Sequence, residues 1–241
     1  MLNILVLLFL INFNIIAKEK IVIVTNEWKP YVSKEMEDLG LLPNLINEVF
    51  KKIDIEVEYK FYPWRRGEEM VRNGKAFGTF PYRVTDSRKN VYDFSESLIY
   101  SRGLFFYLKN NFEEGLKWDN YEDLLKYNVS GVMGYWYEEP FSKYKLKVDY
   151  SATEEIALRK LYTGRVDILA GDELVMWNLI KEIFPDNIDD FDTSSNPLND
   201  DDLHIIVSKD NFQSKLILEK FNKALKEMKV TGEYEKIMNK K

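Results

Sequence analysis

Cysteine is absent from the sequence, and histidine occurs once, as His204. The first absence excludes a disulfide framework, a thiolate nucleophile, a thiolate metal site and a lipid-bearing cysteine that would fix an exported protein to a membrane. His204 lies in the apolar segment Leu203–Val207, with no nucleophile or metal-ligand cluster near it in the sequence. A phosphate-binding glycine loop is also missing. We therefore expect no catalytic residue, no metal and no cofactor, and we expect that the protein is not an enzyme.

An excess of positive charge is also absent, since the net charge is −6. Phosphate recognition needs a basic surface, so the sequence disfavours a nucleic-acid partner. The one long apolar run, Leu2 to Ala17, is followed at once by Lys18, Glu19 and Lys20. It is shorter than the roughly 20 residues that cross a bilayer, and Ala17 provides a small residue for cleavage. We predict a signal peptide over residues 1–17, with an uncleaved membrane tether as the alternative. An exported chain without a lipid anchor is useful where an outer barrier retains it, which indicates the periplasm.

The remaining composition is that of a well-folded chain, with 45% hydrophobic and 15% aromatic residues. Its length suits one large domain or two lobes of roughly 100 residues each.

Hydrophobic periodicity predicts alternating strands and helices in the first part of the chain. The segments are a strand over Ile21–Val24, a helix over Leu41–Lys52, a strand over Ile55–Phe61 and a helix over Trp64–Asn73. This order favours a mainly parallel sheet covered by helices, in which ligands bind at the carboxyl ends of the strands. The loops that should meet there are 26–31, 62–66 and 79–83.

The later part of the chain repeats this pattern. Its predicted segments are an apolar strand at 129–133, a helix at 153–162, a strand at 166–170, a helix at 173–184, a strand at 203–207 and a helix at 215–228. Gly103–Leu108 and the polar cluster Asn196–Asp202 are candidate crossings between two lobes. We predict one lobe from residues 20–107 and 203–241, and the other from residues 108–202.

Several segments resemble one known family when they are taken in order. They are Gly78–Lys89 with Thr85 and Arg88, then Asp93-Phe94-Ser95, Gly164–Asp172, and Phe221–Leu225 followed by Thr231-Gly232. Together they resemble the bacterial solute-binding proteins of family 3, best known as polar amino acid receptors of ABC importers. The resemblance implies an α/β, two-lobed periplasmic binding protein type 2 fold with two hinge-crossing strands. It also implies a monomer that closes around a small ligand and delivers it to an ABC transporter permease.

The resemblance assigns two charged residues to the ligand. Arg88 matches the arginine that holds a carboxylate, and a guanidinium can do so through two parallel hydrogen bonds. Asp172 matches an acid that faces the ligand's ammonium group. Each residue has a structural alternative: Arg88 could pair with Asp86 or Asp93, and Asp172 could cap the helix that begins at Glu173.

Aromatic and polar residues in the predicted loops complete the expected cleft. The further candidates for ligand binding are Trp28, Tyr31, Trp64, Arg65, Phe80, Pro81, Tyr82, Arg83, Gly134 and Tyr135. Arg65 and Arg83 could each add an anion contact or lie in solvent.

The sequence departs from the family where Phe80-Pro81-Tyr82-Arg83 replaces small, hydroxyl-bearing residues. We therefore expect an anionic or zwitterionic ligand with an apolar portion. A dehydratase-like periplasmic enzyme and a ligand-sensing protein are the alternatives that the same fold allows.

Overall fold

The computed structural model describes residues 19–239. The predicted signal peptide, residues 1–17, lies outside the described residues. Within residues 19–239, no helix combines the length and the apolar character needed to cross a membrane.

A parallel sheet forms the centre of the first half of the molecule. Its elements are β1 (Glu19–Thr25), α1 (Leu41–Lys51), β2 (Ile55–Phe61), α2 (Trp64–Arg72), β3 (Gly78–Tyr82), α3 (Asp86–Val91) and β4 (Tyr92–Phe94). β1 is central and runs parallel to both β2 and β3, with Ile23 opposite Tyr59 and Gly78. The β-branched run in β1 favours a strand, and helices in the two connections allow parallel pairing.

The second half repeats this arrangement. Its elements are β6 (Asn128–Val132), α4 (Glu138–Lys143), β7 (Lys147–Ser151), α5 (Glu154–Tyr162), β8 (Ile168–Asp172), α6 (Glu173–Ile183) and β9 (Phe191–Thr193). β6 is central and parallel to both neighbours, with Ser130 opposite Asp149 of β7 and Leu169 of β8. The carboxyl ends of β6 and β8 therefore lie at one edge of this half.

Two long antiparallel strands connect the halves. β5 (Ile99–Leu108) and β10 (Asn199–Ser208) pair from Ile99 opposite Leu203 to Gly103 opposite Asn199. Beyond this segment β5 pairs with β8 and β9, whereas β10 pairs with β3 and β4. The ten strands are thus linked in one hydrogen-bonded order, β2-β1-β3-β10-β5-β8-β6-β7, with β4 and β9 off this path. We call residues 99–103 and 199–203 the crossing segment.

Separate hydrophobic cores lie on either side of the crossing segment. The first half has one core that includes Ile23, Phe50 and Phe221. The second half has two cores, one on each face of β5, because alternate strand residues point to opposite faces. Leu104 and Phe106 pack in one, and Phe105 and Tyr107 pack in the other. Residues 104–107, which the sequence-based boundary placed in the first lobe, therefore contact the cores of the second half.

The chain ends on the first half through α7 (Phe212–Thr231) and α8 (Glu233–Met238). Asn211 caps α7 by accepting the backbone N–H of Ser214 at 3.0 Å, and Gly232, with φ 75°, follows its last turn. Asparagine is common before a helix because its side-chain oxygen accepts a backbone N–H that has no carbonyl partner within the helix. Glycine is common after a helix because it tolerates a left-handed backbone conformation.

Most predicted segments are confirmed, with shifted ends and a few omissions. The helix predicted at 215–228 begins at Phe212 and ends at Thr231, and the strand predicted at 166–170 covers Ile168–Asp172. The loop predicted at 79–83 is wrong: Phe80 and Tyr82 lie in β3, all of whose residues are buried. The crossing predicted at Gly103–Leu108 lies earlier, at residues 99–103. The elements α3, α4, α8, β4, β7 and β9 were not predicted from the sequence.

Phe221→Ala should lower the free energy of unfolding by about 3–5 kcal/mol, because it leaves a cavity in the first core. Phe221 is fully buried, whereas Phe212 on the same helix is 73% exposed. The matched control Phe212→Ala should change stability by less than about 0.5 kcal/mol. Urea unfolding of both variants measures the difference. Equal losses would contradict the packing of α7 against the first core.

Candidate functional site

A small cavity lies between the two halves at the carboxyl ends of the parallel strands. Its lining residues, from both halves, are Trp28, Trp64, Pro81, Tyr82, Arg83, Arg88, Gly134, Tyr135, Trp136, Asp172 and Leu203. The volume is about 30 Å³, which leaves room for one or two water molecules. We call it the inner cavity.

A larger pocket of about 400 Å³ adjoins the inner cavity and shares Arg88, Gly134, Tyr135 and Trp136 with it. Its remaining lining residues are Arg65, Glu68, Thr85, Ser87, Glu138 and Glu139. We call it the outer pocket. Its volume is within the ordinary range of small-molecule sites.

A buried ion pair between Arg83 and Asp172 joins the halves. Arg83 Nη2 lies 3.4 Å from Asp172 Oδ2, and each side chain is less than 5% exposed. Ser101 in the crossing segment donates its hydroxyl to the same carboxylate oxygen. Ser101 also accepts a hydrogen bond from Arg83 Nη2 at 2.7 Å. The expectation that Arg83 could lie in solvent is therefore wrong.

The other carboxylate oxygen of Asp172 caps a helix. Asp172 Oδ1 accepts the backbone N–H groups of Leu174 and Val175 at 3.2 and 3.3 Å, at the beginning of α6. The capping alternative from the sequence is thus confirmed. Burial raises the pKa of the Asp172 carboxyl, against the opposing effects of the Ser101 hydroxyl and the Arg83 charge. Burial likewise lowers the pKa of Arg83.

Arg88 is held by a different acid from those considered in the sequence. Its Nη2 and Nε lie 2.8 and 3.2 Å from Glu68 Oε1, so the alternative in which Arg88 pairs with Asp86 or Asp93 is wrong. Nη2 also donates to the carbonyl of Gly134 in the second half, at 3.1 Å. The guanidinium stacks on Tyr82, 4.6 Å from the ring centroid. Arg88 therefore lies between the inner cavity and the outer pocket and contacts both halves.

A chain of hydrogen bonds crosses the cleft through Tyr135. Trp28 Nε1 donates to the hydroxyl of Tyr135 at 2.7 Å, and this hydroxyl donates to Glu154 Oε1. Desolvation raises the pKa of Glu154, although the hydrogen bond from Tyr135 opposes the shift. Glu154 is half-buried as a residue, but its carboxyl points inward to the tyrosine.

Two surface contacts join the halves at the outer pocket. Arg65 Nη2 lies 2.8 Å from Glu138 Oε1, and Ser87 donates to Glu139 Oε2 at 2.7 Å. Gly134, with φ 86°, allows the close approach there, because a Cβ would lie 3.1 Å from the Cβ of Trp64. A side chain at this position would strain the backbone and crowd Trp64.

The twelve residues proposed for the site occupy four kinds of position. Nine line the inner cavity: Trp28, Trp64, Pro81, Tyr82, Arg83, Arg88, Gly134, Tyr135 and Asp172. Arg65 lines only the outer pocket. Tyr31 is buried behind the cavity and stacks on Trp28, with ring centroids 4.9 Å apart. Phe80 is fully buried against Tyr59 in the first core, so its expected place in a cleft wall is wrong.

Several polar partners in the cleft were not predicted from the sequence. Glu68 lies one turn after Trp64 on α2, a helical spacing that could have placed both at the same rim. Ser101 and Glu154 carry no sequence signal of their own, since their roles depend on contacts between distant segments. Among the described residues, no group of three or more acidic or histidine side chains is arranged to hold a metal ion.

Glu154→Gln should become more stable than the wild type as the pH rises. The amide oxygen can still accept the hydrogen bond from Tyr135, but the side chain no longer carries a charge. Because the pKa of Glu154 is raised in the folded state above its ordinary 4.5, the unfolded chain loses this proton first as the pH rises. Above about pH 4.5 the wild type therefore loses stability relative to the variant, and well below this pH it loses none.

Urea unfolding from about pH 4 to 8 measures this stability difference. Glu155→Gln, at an exposed position in the same turn of α5, controls for the loss of one negative charge. A stability difference for Glu154→Gln that is independent of pH would contradict the desolvated carboxyl.

Comparison with known proteins places this geometry in a family. The family model described as bacterial extracellular solute-binding proteins, family 3, matches residues 21–240. The comparison with curated proteins gives no match.

Solved structures share the fold at low sequence identity. An amino acid ABC transporter substrate-binding protein from Streptococcus pneumoniae bound to L-arginine is 20% identical, with a TM-score of 0.74 and coverage of 91% of this chain and 92% of that chain. A histidine kinase sensor domain with similarity to periplasmic binding proteins is 16% identical, with a TM-score of 0.78 and coverage of 91% and 94%. An ancestral amino acid-binding protein, a precursor of cyclohexadienyl dehydratase, is 21% identical, with a TM-score of 0.72 and coverage of 90% and 92%.

These matches confirm the predicted α/β, periplasmic binding protein type 2 fold. Since the family model covers nearly all of the described residues, the chain belongs to the bacterial extracellular solute-binding proteins of family 3.

Proposed function

We propose that this protein is a periplasmic receptor that closes around a small carboxylate-bearing solute and delivers it to an ABC importer. The observation that carries the proposal is the inner cavity, where aromatic and charged side chains from both halves meet at the strand ends. Such convergence of a few polar groups in an apolar setting is typical of small-molecule sites. Family membership supports the same function.

The mechanism we propose is closure of two lobes about the crossing segment. The proposed lobes are those expected from the sequence, residues 20–107 with 203–241 and residues 108–202, except that residues 104–107 pack with the second lobe. The separate cores on either side of residues 99–103 and 199–203 support this division. Two adjacent antiparallel strands can act as a hinge if small changes in their dihedral angles reorient the lobes.

Solute entry requires a more open arrangement than the one described. The inner cavity, at about 30 Å³, is too small for any amino acid or organic acid. Opening would separate Arg88 from the Gly134 carbonyl, Trp28 from Tyr135 and Arg65 from Glu138. Closure on a solute can serve as a signal to a permease only if the solute contacts the closed form more favourably than the open one.

We assign the solute's carboxylate to Arg88. Four hydrogen bonds already involve this guanidinium, and two of them go to Glu68, whose side chain is 24% exposed. A solute carboxylate could replace Glu68, because the acid lines the outer pocket and could be rehydrated there. Trp64 and Tyr82 beside Arg88 would contact an apolar portion of the solute.

Acid–base catalysis is the second candidate function. Glu154 has a raised pKa at the edge of the cleft, and one similar structure is a precursor of cyclohexadienyl dehydratase. An acid whose pKa is raised towards neutrality can donate a proton to a substrate. The carboxyl of Glu154 is bound to Tyr135, however, and it does not line the inner cavity.

Thermal-shift screening should identify carboxylates with an apolar or aromatic portion as stabilising solutes. A solute at 100 times its dissociation constant adds about 2.7 kcal/mol to the free energy of unfolding. Mass spectrometry after prolonged incubation should recover the solute unchanged. Chemical conversion would support the enzyme instead, and stabilisation by uncharged solutes alone would exclude carboxylate recognition.

Arg88→Ala should weaken binding of the identified carboxylate by about 2–5 kcal/mol, since a charge-assisted contact is lost in a desolvated cleft. Arg88→Lys should bind with intermediate affinity, because the ammonium keeps the charge without the planar fork. Arg66→Ala is the matched control: Arg66 is an exposed arginine of α2 that stacks on Tyr62.

Calorimetry measures the affinities, and thermal unfolding of each variant shows that it is folded. A loss of less than about threefold for Arg88→Ala, well under 1 kcal/mol, would make Arg88 a structural residue only.

A further inference from the structure

The carboxylate of Asp172 has no hydrogen-bonding capacity left for a solute. An ionised carboxylate offers about four acceptor positions. Oδ1 accepts hydrogen bonds from two backbone N–H groups of α6, and Oδ2 accepts hydrogen bonds from the Ser101 hydroxyl and from Arg83 Nη2. Asp172 is also the one acidic side chain among the described residues that line the inner cavity. An ammonium group that entered this cavity would find its carboxylate already neutralised and fully hydrogen-bonded.

Arg83, whose guanidinium pairs with Asp172, is held in place by further contacts. Arg83 Nη1 donates to the carbonyls of Ser101 and Asp201 at 2.9 and 3.3 Å, so it contacts both strands of the crossing segment. Its guanidinium lies 5.5 Å from the ring centroid of Trp136. Because the strands of the crossing segment belong to both halves, movement of the lobes would leave Arg83 attached to them. A solute could not displace this side chain without breaking contacts to the backbone.

The groups that remain for a solute are hydrogen-bond donors. Trp64 Nε1 is buried without a hydrogen-bond partner, and Trp64 lines the inner cavity. Arg88 adds donors and a positive charge. An ammonium brings three more donors and no acceptor, whereas a carboxylate brings only acceptors. A desolvated ammonium in the inner cavity, near the guanidinium groups of Arg83 and Arg88, would be repelled and unpaired.

We propose that Arg83 determines specificity: it neutralises Asp172 permanently, so the cleft selects organic acids that lack an α-ammonium group over the corresponding amino acids. This inference rests on the proposed function, because it assumes that the cleft binds a carboxylate. Arg83 is thus a built-in counter-ion that takes the position an ammonium would need.

The test compares matched pairs of solutes that differ by one ammonium group. The pairs are 3-phenylpropionate and phenylalanine, 4-methylpentanoate and leucine, and glutarate and glutamate, measured with the wild-type protein by calorimetry. In each pair that binds, the member without the ammonium group should bind at least about tenfold more tightly than the amino acid. This ratio corresponds to about 1.4 kcal/mol. Amino acids that bind as tightly as, or more tightly than, their partners would overturn the inference but leave the proposed function intact. Failure of all six solutes to bind, together with a thermal-shift screen in which no carboxylate stabilises the protein, would overturn both.

A variant tests the role of Arg83 directly. Arg83→Met keeps an unbranched, flexible side chain but removes the guanidinium and its charge, so Asp172 Oδ2 regains an acceptor position and its carboxylate is no longer neutralised. Affinity for the amino acid relative to its partner acid should rise at least about tenfold. Arg102→Met is the matched control, because Arg102 lies on the same strand as Ser101 but pairs with Glu173 on the surface. In Arg102→Met, the affinity for the amino acid relative to its partner acid should stay at the wild-type value.

The double variant Arg83→Met, Asp172→Asn identifies the source of the change. Asparagine retains an oxygen that can cap α6 but has no charge for an ammonium, so the gain in relative affinity for amino acids should disappear. Persistence of the gain in the double variant, or an unchanged ratio in Arg83→Met, would overturn the inference. Circular dichroism establishes that each variant is folded, and the wild-type comparison decides the question if a variant is not.

Discussion

The ion pair between Arg83 and Asp172 is the interaction on which the geometry of the cleft depends. It joins the ends of β3 and β8 and, through Ser101 and Asp201, both strands of the crossing segment. Burial of two charges costs desolvation energy, so such a pair adds little stability over apolar packing, but the loss of one partner is strongly destabilising. The pair therefore favours one arrangement of the ends of β3 and β8 and the two strands of the crossing segment. Hydrophobic contacts alone would define that arrangement less closely.

Parallel sheets explain why the charged and aromatic residues converge at this point. In each half the central strand is flanked by parallel neighbours, so the segments that follow several strands begin at one edge. The two edges face each other across the crossing segment. Tyr135 lies at the junction and packs against all three hydrophobic cores, so a movement of either half changes its surroundings.

Periodicity, apolar runs and turn residues in the sequence were sufficient to predict the major strands and helices. β8 is buried on both faces like β3, but its apolar run Ile168–Ala170 still indicated a strand. The sequence failed at Phe80 because β3 contains Pro81, a residue that is uncommon inside sheets and typical of loops. It anticipated that Asp172 caps α6, since a helix N-cap and a strand end coincide there. It could not identify Glu68 as the partner of Arg88 or Arg83 as a buried cation, because those contacts join residues that are remote in the chain.

The two ion pairs of the cleft differ in how readily a solute could replace one partner. In the pair of Arg88 and Glu68, the acid is 24% exposed at the outer pocket, so water can solvate it when a solute takes its place. In the pair of Arg83 and Asp172, both side chains are less than 5% exposed, and neither can be released without leaving a buried charge. A solute would therefore exchange with Glu68 and leave the inner pair intact. If the protein binds a carboxylate as proposed, the affinity of the solute is the difference between its own contacts with Arg88 and those that Glu68 gives up. Part of the specificity would then be determined by an acid of the protein itself.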